Sequence, residues 1–188
     1  MLTLFPEESI FPPGFTYEEA FLSKEEEEVL IKAIGALELQ QFVFQGYEAK
    51  RKIASFGWDW NFENRTLNKG AAIPRSFLPL VKKVSRRLGI AEDKIAELLV
   101  TEYEEGTVIN WHRDAPPFDT IIGVSLLSDC TFRLRPQRKE QQTRSATRSF
   151  PVRRRSLYVM SDEARSDWQH SIAPVKSLRY SVTLRTLK

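Results

Sequence analysis

From Ile95 onward the chain becomes a series of six short strand-like runs, and this constrains its fold more than any other feature. The runs cover 95–103, 107–111, 120–127, 131–135, 152–160 and 178–186. Glu105-Gly106, Pro116-Pro117 and Ser128-Asp129 are turn punctuation between them. The first 94 residues read differently. Ser23-Lys24-Glu25-Glu26 fits a capping box, with Ser23 as N-cap and Glu26 reaching back to it. Val29, Leu30, Ala33, Ile34 and Leu37 then supply a helical apolar stripe. A second helix is expected over 77–88, stopped by Gly89, and 41–62 reads as extended. Helices first and then many short strands predict a mainly β, α+β domain: a β-sandwich or jelly roll with helices packed outside.

The length of 188 residues suits a single domain over 1–188. A single cysteine, Cys130, allows no internal disulfide, so a reducing, cytoplasmic compartment is expected. Cys130 itself reads as a buried strand residue rather than a nucleophile. No stretch without Asp, Glu, Lys or Arg exceeds nine residues, so no membrane helix is expected. The start has no basic or apolar region of the signal-peptide kind.

The net charge of +3 conceals an uneven distribution. Residues 1–30 carry eight glutamates and one lysine, whereas 133–155 carry nine basic residues against Glu140 alone. Such clustering is the footprint of a polyanion partner, or else a solvated basic loop between strands. Farther upstream, Phe56, Trp58, Trp60 and Phe62 alternate on one face of the extended run, just after Lys50, Arg51 and Lys52. Aromatics beside basic residues suit a strand that grips phosphates and stacks a base; an aromatic stripe packed on the core has the same pattern.

The chain has two histidines, His112 and His170, and Asp114 follows the first at i+2. On an extended backbone i and i+2 share a face, so His112 and Asp114 can chelate one ion. Adding His170 gives two imidazoles and a carboxylate, the set that leaves positions open on Fe(II). Two structural histidines are the alternative. The last strand is more demanding. Arg179, Ser181, Thr183 and Arg185 alternate with Tyr180, Val182 and Leu184. An inward face with two arginines is expensive to bury without an anion, and a dicarboxylate would satisfy it; an exposed basic face is the other solution.

His112-x-Asp114, His170 and Arg179-x5-Arg185, with Tyr103 in Tyr-x-x-Gly nine residues before His112, together resemble the AlkB family. These are Fe(II)- and 2-oxoglutarate-dependent dioxygenases on a double-stranded β-helix. The resemblance covers roughly 95–188; before that it rests on Phe56-Gly57-Trp58 and helix order. It implies helical support and a nucleotide-recognition lid over 1–94 and a catalytic β core over 95–188. His112, Asp114 and His170 would hold iron. Arg179 would pair with the distal carboxylate of 2-oxoglutarate beside the Tyr103 hydroxyl. Arg185 would serve the metal end and contact Asp114, and Ser181 and Thr183 would complete the cosubstrate face. Ser181 and Thr101 stand where the best-known members carry Asn, and Pro116 where several carry an acid. Trp58 is the closest match to the lid aromatic, with Trp60 next to it, and Arg51, Arg153 and Arg155 are candidates for phosphate contact. The implied reaction is oxidative removal of an N-alkyl group from a base of DNA or RNA, with O2 as cosubstrate, by a monomer. A same-fold oxygenase acting on a protein methyl group or small molecule, and a non-catalytic nucleic-acid binder, are the alternatives.

Overall fold

Strand alternation sorts the side chains of this protein into two separate cores. The computed structural model describes residues 11–44 and 47–188. Glu7 and Glu8 of the acidic start lie outside the described residues, as do Gln45 and Gly46 of the extended run. The first half contains β1 (Phe15–Glu18), α1 (Lys24–Gly35), β2 (Gln40–Phe44), β3 (Tyr47–Asn61), β4 (Thr66–Lys69) and α2 (Leu78–Leu88). The second half contains β5 (Ile95–Tyr103), β6 (Ile109–His112), β7 (Phe118–Leu126), β8 (Cys130–Pro136) and β9 (Arg148–Val152). It ends with β10 (Leu157–Met160), α3 (Asp162–Ser166), β11 (Trp168–Ile172) and β12 (Arg179–Leu187).

The strands form two antiparallel sheets. The larger runs β1-β10-β7-β12-β5-β3-β2, with β4 paired to β3, and the smaller runs β6-β11-β8-β9. Ile109, Phe132 and Ile172 of the small sheet pack with Tyr103, Ile121 and Tyr158 of the large one, so the sheets face each other as a jelly roll that is not a closed barrel. On the other side of the large sheet, Leu98, Val100, Val124, Val182 and Leu184 meet Leu30 and Ile34 of α1 and Leu80, Val81 and Val84 of α2. The alternation of β12 is therefore resolved: Val182 and Leu184 serve the helices, and the arginine face points between the sheets. Among the described residues, no helix is long and apolar enough to cross a membrane.

The local signals act where expected. Ser23 accepts from the Glu26 amide at 3.1 Å, and Glu26 accepts from the Ser23 amide at 2.8 Å. Gly89, at φ +68°, closes α2, whose start at Leu78 follows a 3-10 turn at Arg75–Phe77.

Three expectations are corrected. Val29 is 61% exposed and leaves the stripe of α1, where Glu27 is buried instead. The run 152–160 is two strands in different sheets, because Arg153–Ser156 make a corner with Arg155 at φ +64°. The aromatics from Phe56 to Phe62 do not keep one face. Gly57, at φ +86°, ends the pairing of β3 with β5, and from Trp58 the strand pairs with β4 instead. A Cβ on Gly57 would lie 2.1 Å from the Ala96 carbonyl oxygen. Past this corner the faces are re-aimed: Phe56 packs with the helices, Trp60 with the core between the sheets.

Glu27 explains the Arg153–Ser156 corner. It accepts from the Leu127 amide at 2.8 Å and pairs with Arg154 at 2.6 Å and Arg155 at 3.8 Å, while Arg153 pairs with Asp129 at 2.8 Å. Glu27→Ala removes the acceptor of a part-buried amide, and Arg154 can turn to solvent. The expected loss is about 2 kcal/mol, read as a lower urea midpoint with an unchanged m-value.

Candidate metal centre

The small sheet brings the histidines together by register. His112 ends β6 and pairs with His170 in the middle of β11, and their ring centroids lie 4.1 Å apart. The Phe132 ring of β8 stacks on His170 at 5.6 Å and 6°. His112 Nδ1 lies 2.8 Å from the Asn110 carbonyl oxygen, and a proton donated there leaves Nε2 as the free lone pair.

Asp114 lies beyond the end of β6, so alternation alone does not aim it. Two arginines do. Arg165 of α3 donates to the carbonyl oxygens of Ala115 at 2.8 Å and Phe118 at 2.9 Å, pinning the loop after Asp114. Arg185 of β12 donates to Asp114 Oδ1 at 3.0 Å from Nε and 2.6 Å from Nη2. Asp114 Oδ2 is buried without a hydrogen bond and stands 3.4 Å from His170 Nε2. One ligand atom from each of His112, Asp114 and His170 lies within 4.8 Å of the others, a set that could hold a metal ion.

Electrostatics favours the protonation states a metal needs. Burial and the nearby His112 hold His170 down at about 3, so its imidazole is neutral at pH 7. Burial alone would raise Asp114, but the Arg185 guanidinium beside it outweighs burial and holds the carboxyl well below the usual range. The neutral His170 imidazole and an ionised carboxylate with an unpartnered oxygen suit a divalent iron.

Beside the trio is a cavity of about 100 Å³, lined among others by Arg51, Tyr103, Tyr158, Thr183 and Arg185. Arg179 and Ser181 are not in its lining; they sit behind Tyr103. Ser181 Oγ lies 3.2 Å from the Tyr103 hydroxyl, and the Arg179 guanidinium lies 4.7 Å from the Tyr103 ring centroid. Arg179 is 1% exposed and donates from Nε to Ser125 Oγ at 3.1 Å. Its Nη1 is buried with no partner, and among the described residues no carboxylate pairs with it. A buried cation without an anion is costly, and an anion reaching past Tyr103, such as the far carboxylate of a dicarboxylate cosubstrate, would relieve it.

Sequence reasoning missed Glu97 and Arg165. Glu97 is 2% exposed on β5, paired in register with Arg185, to which it is salt-bridged, and it accepts from Ser55 Oγ at 3.1 Å. The signal was available, since Glu97 occupies the same alternation face as Thr101 and Tyr103. Arg165 left no such signal, because its role depends on loop carbonyls.

The substrate candidates separate. Arg51 reaches the cavity with its guanidinium 4.0 Å from the Phe42 ring centroid. Through Phe42 and Ile53 the cavity shares walls with a groove of about 1030 Å³, which Trp60, Phe62, Arg65 and Pro116 also line. Trp58 lies elsewhere, beside Ile73, Lys94 and Ala96. Arg153 and Arg155 sit at the corner against α1, tied to Asp129 and Glu27, and the structure does not bring them to the trio.

Residues 14–185 match the 2OG-Fe(II) oxygenase superfamily. The chain is similar to the Mus musculus tRNA (carboxymethyluridine(34)-5-O)-methyltransferase ALKBH8, 29% identical over 171 residues, 88% of this chain and 25% of that protein. The Xenopus tropicalis counterpart is 24% identical over 170 residues, 88% of this chain and 26% of that protein. The chain spans about a quarter of the length of these curated relatives. The solved structure of OsALKBH1 shares the fold, with a TM-score of 0.71 at 13% identity, over 94% of this chain and 98% of that one. A superfamily match over nearly the whole chain, with these likenesses, settles the family: the chain belongs to the 2OG-Fe(II) oxygenase superfamily, and within it to the AlkB family.

Proposed function

We propose that this chain is a dioxygenase that oxidises an alkyl group on a nucleobase of DNA or RNA, with residues 1–188 forming one domain. The observation that carries this reading is the position of the trio, beside a cavity whose walls continue into a groove far larger than a base. His112, Asp114 and His170 hold the iron, and Arg179, with Tyr103 and Ser181, takes the far carboxylate of 2-oxoglutarate. Thr183 lines the cosubstrate cavity, and Arg185 locks Asp114 so that Oδ2 faces the metal. When bound, the iron with 2-oxoglutarate and O2 supplies a two-electron oxidation of carbon, coupled to decarboxylation of 2-oxoglutarate to succinate. A hydroxylated N-alkyl carbon is a hemiaminal, which collapses to an aldehyde and the free base.

The chain's own residues orient the substrate and keep water out. Trp60 and Phe62 offer the groove its aromatic surface, and Arg51 places a cation between groove and metal. Trp60 therefore replaces Trp58 as the aromatic proposed to meet the base. Arg153 and Arg155, already paired with acids, are not proposed as phosphate ligands.

The test is mass spectrometry of alkylated DNA and RNA oligonucleotides incubated with Fe(II) and 2-oxoglutarate. The panel includes RNA with modified uridines, because the curated relatives are named for a tRNA uridine. The expected result is substrate oxidation in proportion to succinate, with aldehyde release from N-alkyl bases. Succinate formation with every oligonucleotide left intact would transfer the proposal to a protein methyl group or small molecule.

A further inference from the structure

The outer face of the small sheet carries charge that the iron site does not use. Phe132 and Leu134 of β8 point into the core, so Arg133 and Arg135 point outward. Trp111, next to the inward His112, shares that face. Its indole reaches both arginines across β11, with the Arg135 guanidinium 4.4 Å and the Arg133 guanidinium 5.1 Å from the ring centroid. Arg135 Nε donates to Gln169 Oε1 at 2.7 Å, and Arg133 Nε is buried without a partner. Among the described residues neither guanidinium pairs with a carboxylate, and the same holds for Arg138, Lys139 and Arg144 in the connection to β9. Burial, with the charge of Arg133 beside it, holds Arg135 below the usual arginine range.

We propose that this face binds the phosphodiester backbone of a single-stranded nucleic acid, with Trp111 holding Arg133 and Arg135 as a pre-set pair of phosphate ligands. The inference rests on the nucleic-acid reading above and deepens it. Residues i and i+2 of a strand lie about 7 Å apart, close to the phosphate-to-phosphate step of an extended strand. A guanidinium presents a fork of parallel N–H donors to phosphate oxygens, and an aromatic face fixes where that fork points. Two like charges side by side repel each other, and a polyanion relieves the repulsion. The face also belongs to the sheet that carries both histidines, with Trp111 on its edge strand, so a strand whose base enters the groove can continue along it.

The test is fluorescence anisotropy with an unmodified single-stranded RNA and the matching DNA, titrated at several salt concentrations. Arg133→Gln/Arg135→Gln should reduce the salt slope by about 1.4, which is 0.7 for each of two phosphates, and weaken binding roughly tenfold at low salt. The loss should be alike for RNA and DNA, since phosphate is common to both. Trp111→Leu should keep the slope and weaken binding roughly fivefold, because the charges stay while their fixation goes. Lys82→Gln/Arg86→Gln, on the opposite side of the molecule, should leave the slope unchanged at the same net charge. Thermal unfolding of each variant reports whether it folds. If wild type binds and the Arg133/Arg135 variant keeps its slope, the surface is wrong and the nucleic-acid reading stands. Wild type that binds neither strand overturns both. Polyglutamate that binds as tightly, and loses as much from the double variant, makes the face an acidic-protein site and overturns its assignment to nucleic acid.

Discussion

His112→Ala, Asp114→Asn and His170→Ala should each reduce succinate formation by more than about a hundredfold. Removing an outer partner of a metal ligand already costs 10- to 100-fold in typical sites, and losing the ligand itself costs more. The three variants should differ in what they do to the metal-free protein. The two histidine variants leave the Arg185–Asp114–Glu97 ion cluster intact, so their unfolding midpoints should stay near wild type. Asp114→Asn removes one of the two carboxylates that surround Arg185 and leaves that buried cation with Glu97 alone. It should therefore unfold several degrees lower and also lose Fe(II), measured anaerobically by calorimetry or with Mn(II) by electron paramagnetic resonance. A variant that makes succinate at the wild-type rate removes its residue from the set.

The contrast between Asp114 and the histidines shows where the sequence was informative. Residue type and spacing picked out all three, because His-x-Asp with a distant His is a compact chemical pattern. What holds Asp114 in place was legible only in part: the resemblance implied the Arg185 contact, which the structure shows, but the rest was not. It depends on Arg165 reaching loop carbonyls from a five-residue helix, and on Arg185 bridging to Glu97. The β core was legible for a similar reason: β5 runs over Ile95–Tyr103 as read, and the two faces of β12 separate as its alternation requires.

The misreadings fall where a backbone corner or an ion pair overrides periodicity. Gly57 looked like one residue in an alternating aromatic run, yet its positive φ re-aims Trp58 and Trp60. Arg153, Arg154 and Arg155 looked like a basic patch, yet Glu27 of α1 and Asp129 of the turn before β8 take them up. Periodicity cannot see either effect, because one is a single dihedral angle and the other joins residues from separate elements of the chain. Arg133 and Arg135 came from the same basic segment and pair with no acid among the described residues, so charge clustering was a sound signal that needed tertiary pairing to divide it.

Arg179 gives the sharpest test of the cosubstrate pocket, because stability and binding should move in opposite directions. Its guanidinium is buried, its Nη1 lacks a partner, and no carboxylate among the described residues neutralises it. Without 2-oxoglutarate it is a liability to the fold; with it, the cation gains its anion. Arg179→Met removes the charge and keeps much of the volume, so the ligand-free protein should become more stable. A gain of about 2 kcal/mol corresponds to roughly 4–8 °C in unfolding midpoint for a chain of this size. The same variant should lose the stabilisation that added 2-oxoglutarate gives to wild type. Arg179→Lys keeps a charge but not the two-pronged geometry, and losing one charge-assisted hydrogen bond costs about 1.5–3 kcal/mol. The KM for 2-oxoglutarate should then rise roughly 10- to 150-fold while Fe(II) affinity stays within about twofold, because neither change touches the trio. If Arg179→Met lowers the midpoint of the ligand-free protein and leaves 2-oxoglutarate binding intact, the arginine is a structural residue, and another cation must take the far carboxylate. Arg51 is then the candidate, since it is the remaining arginine on the cavity wall besides Arg185, which is already paired with Asp114 and Glu97.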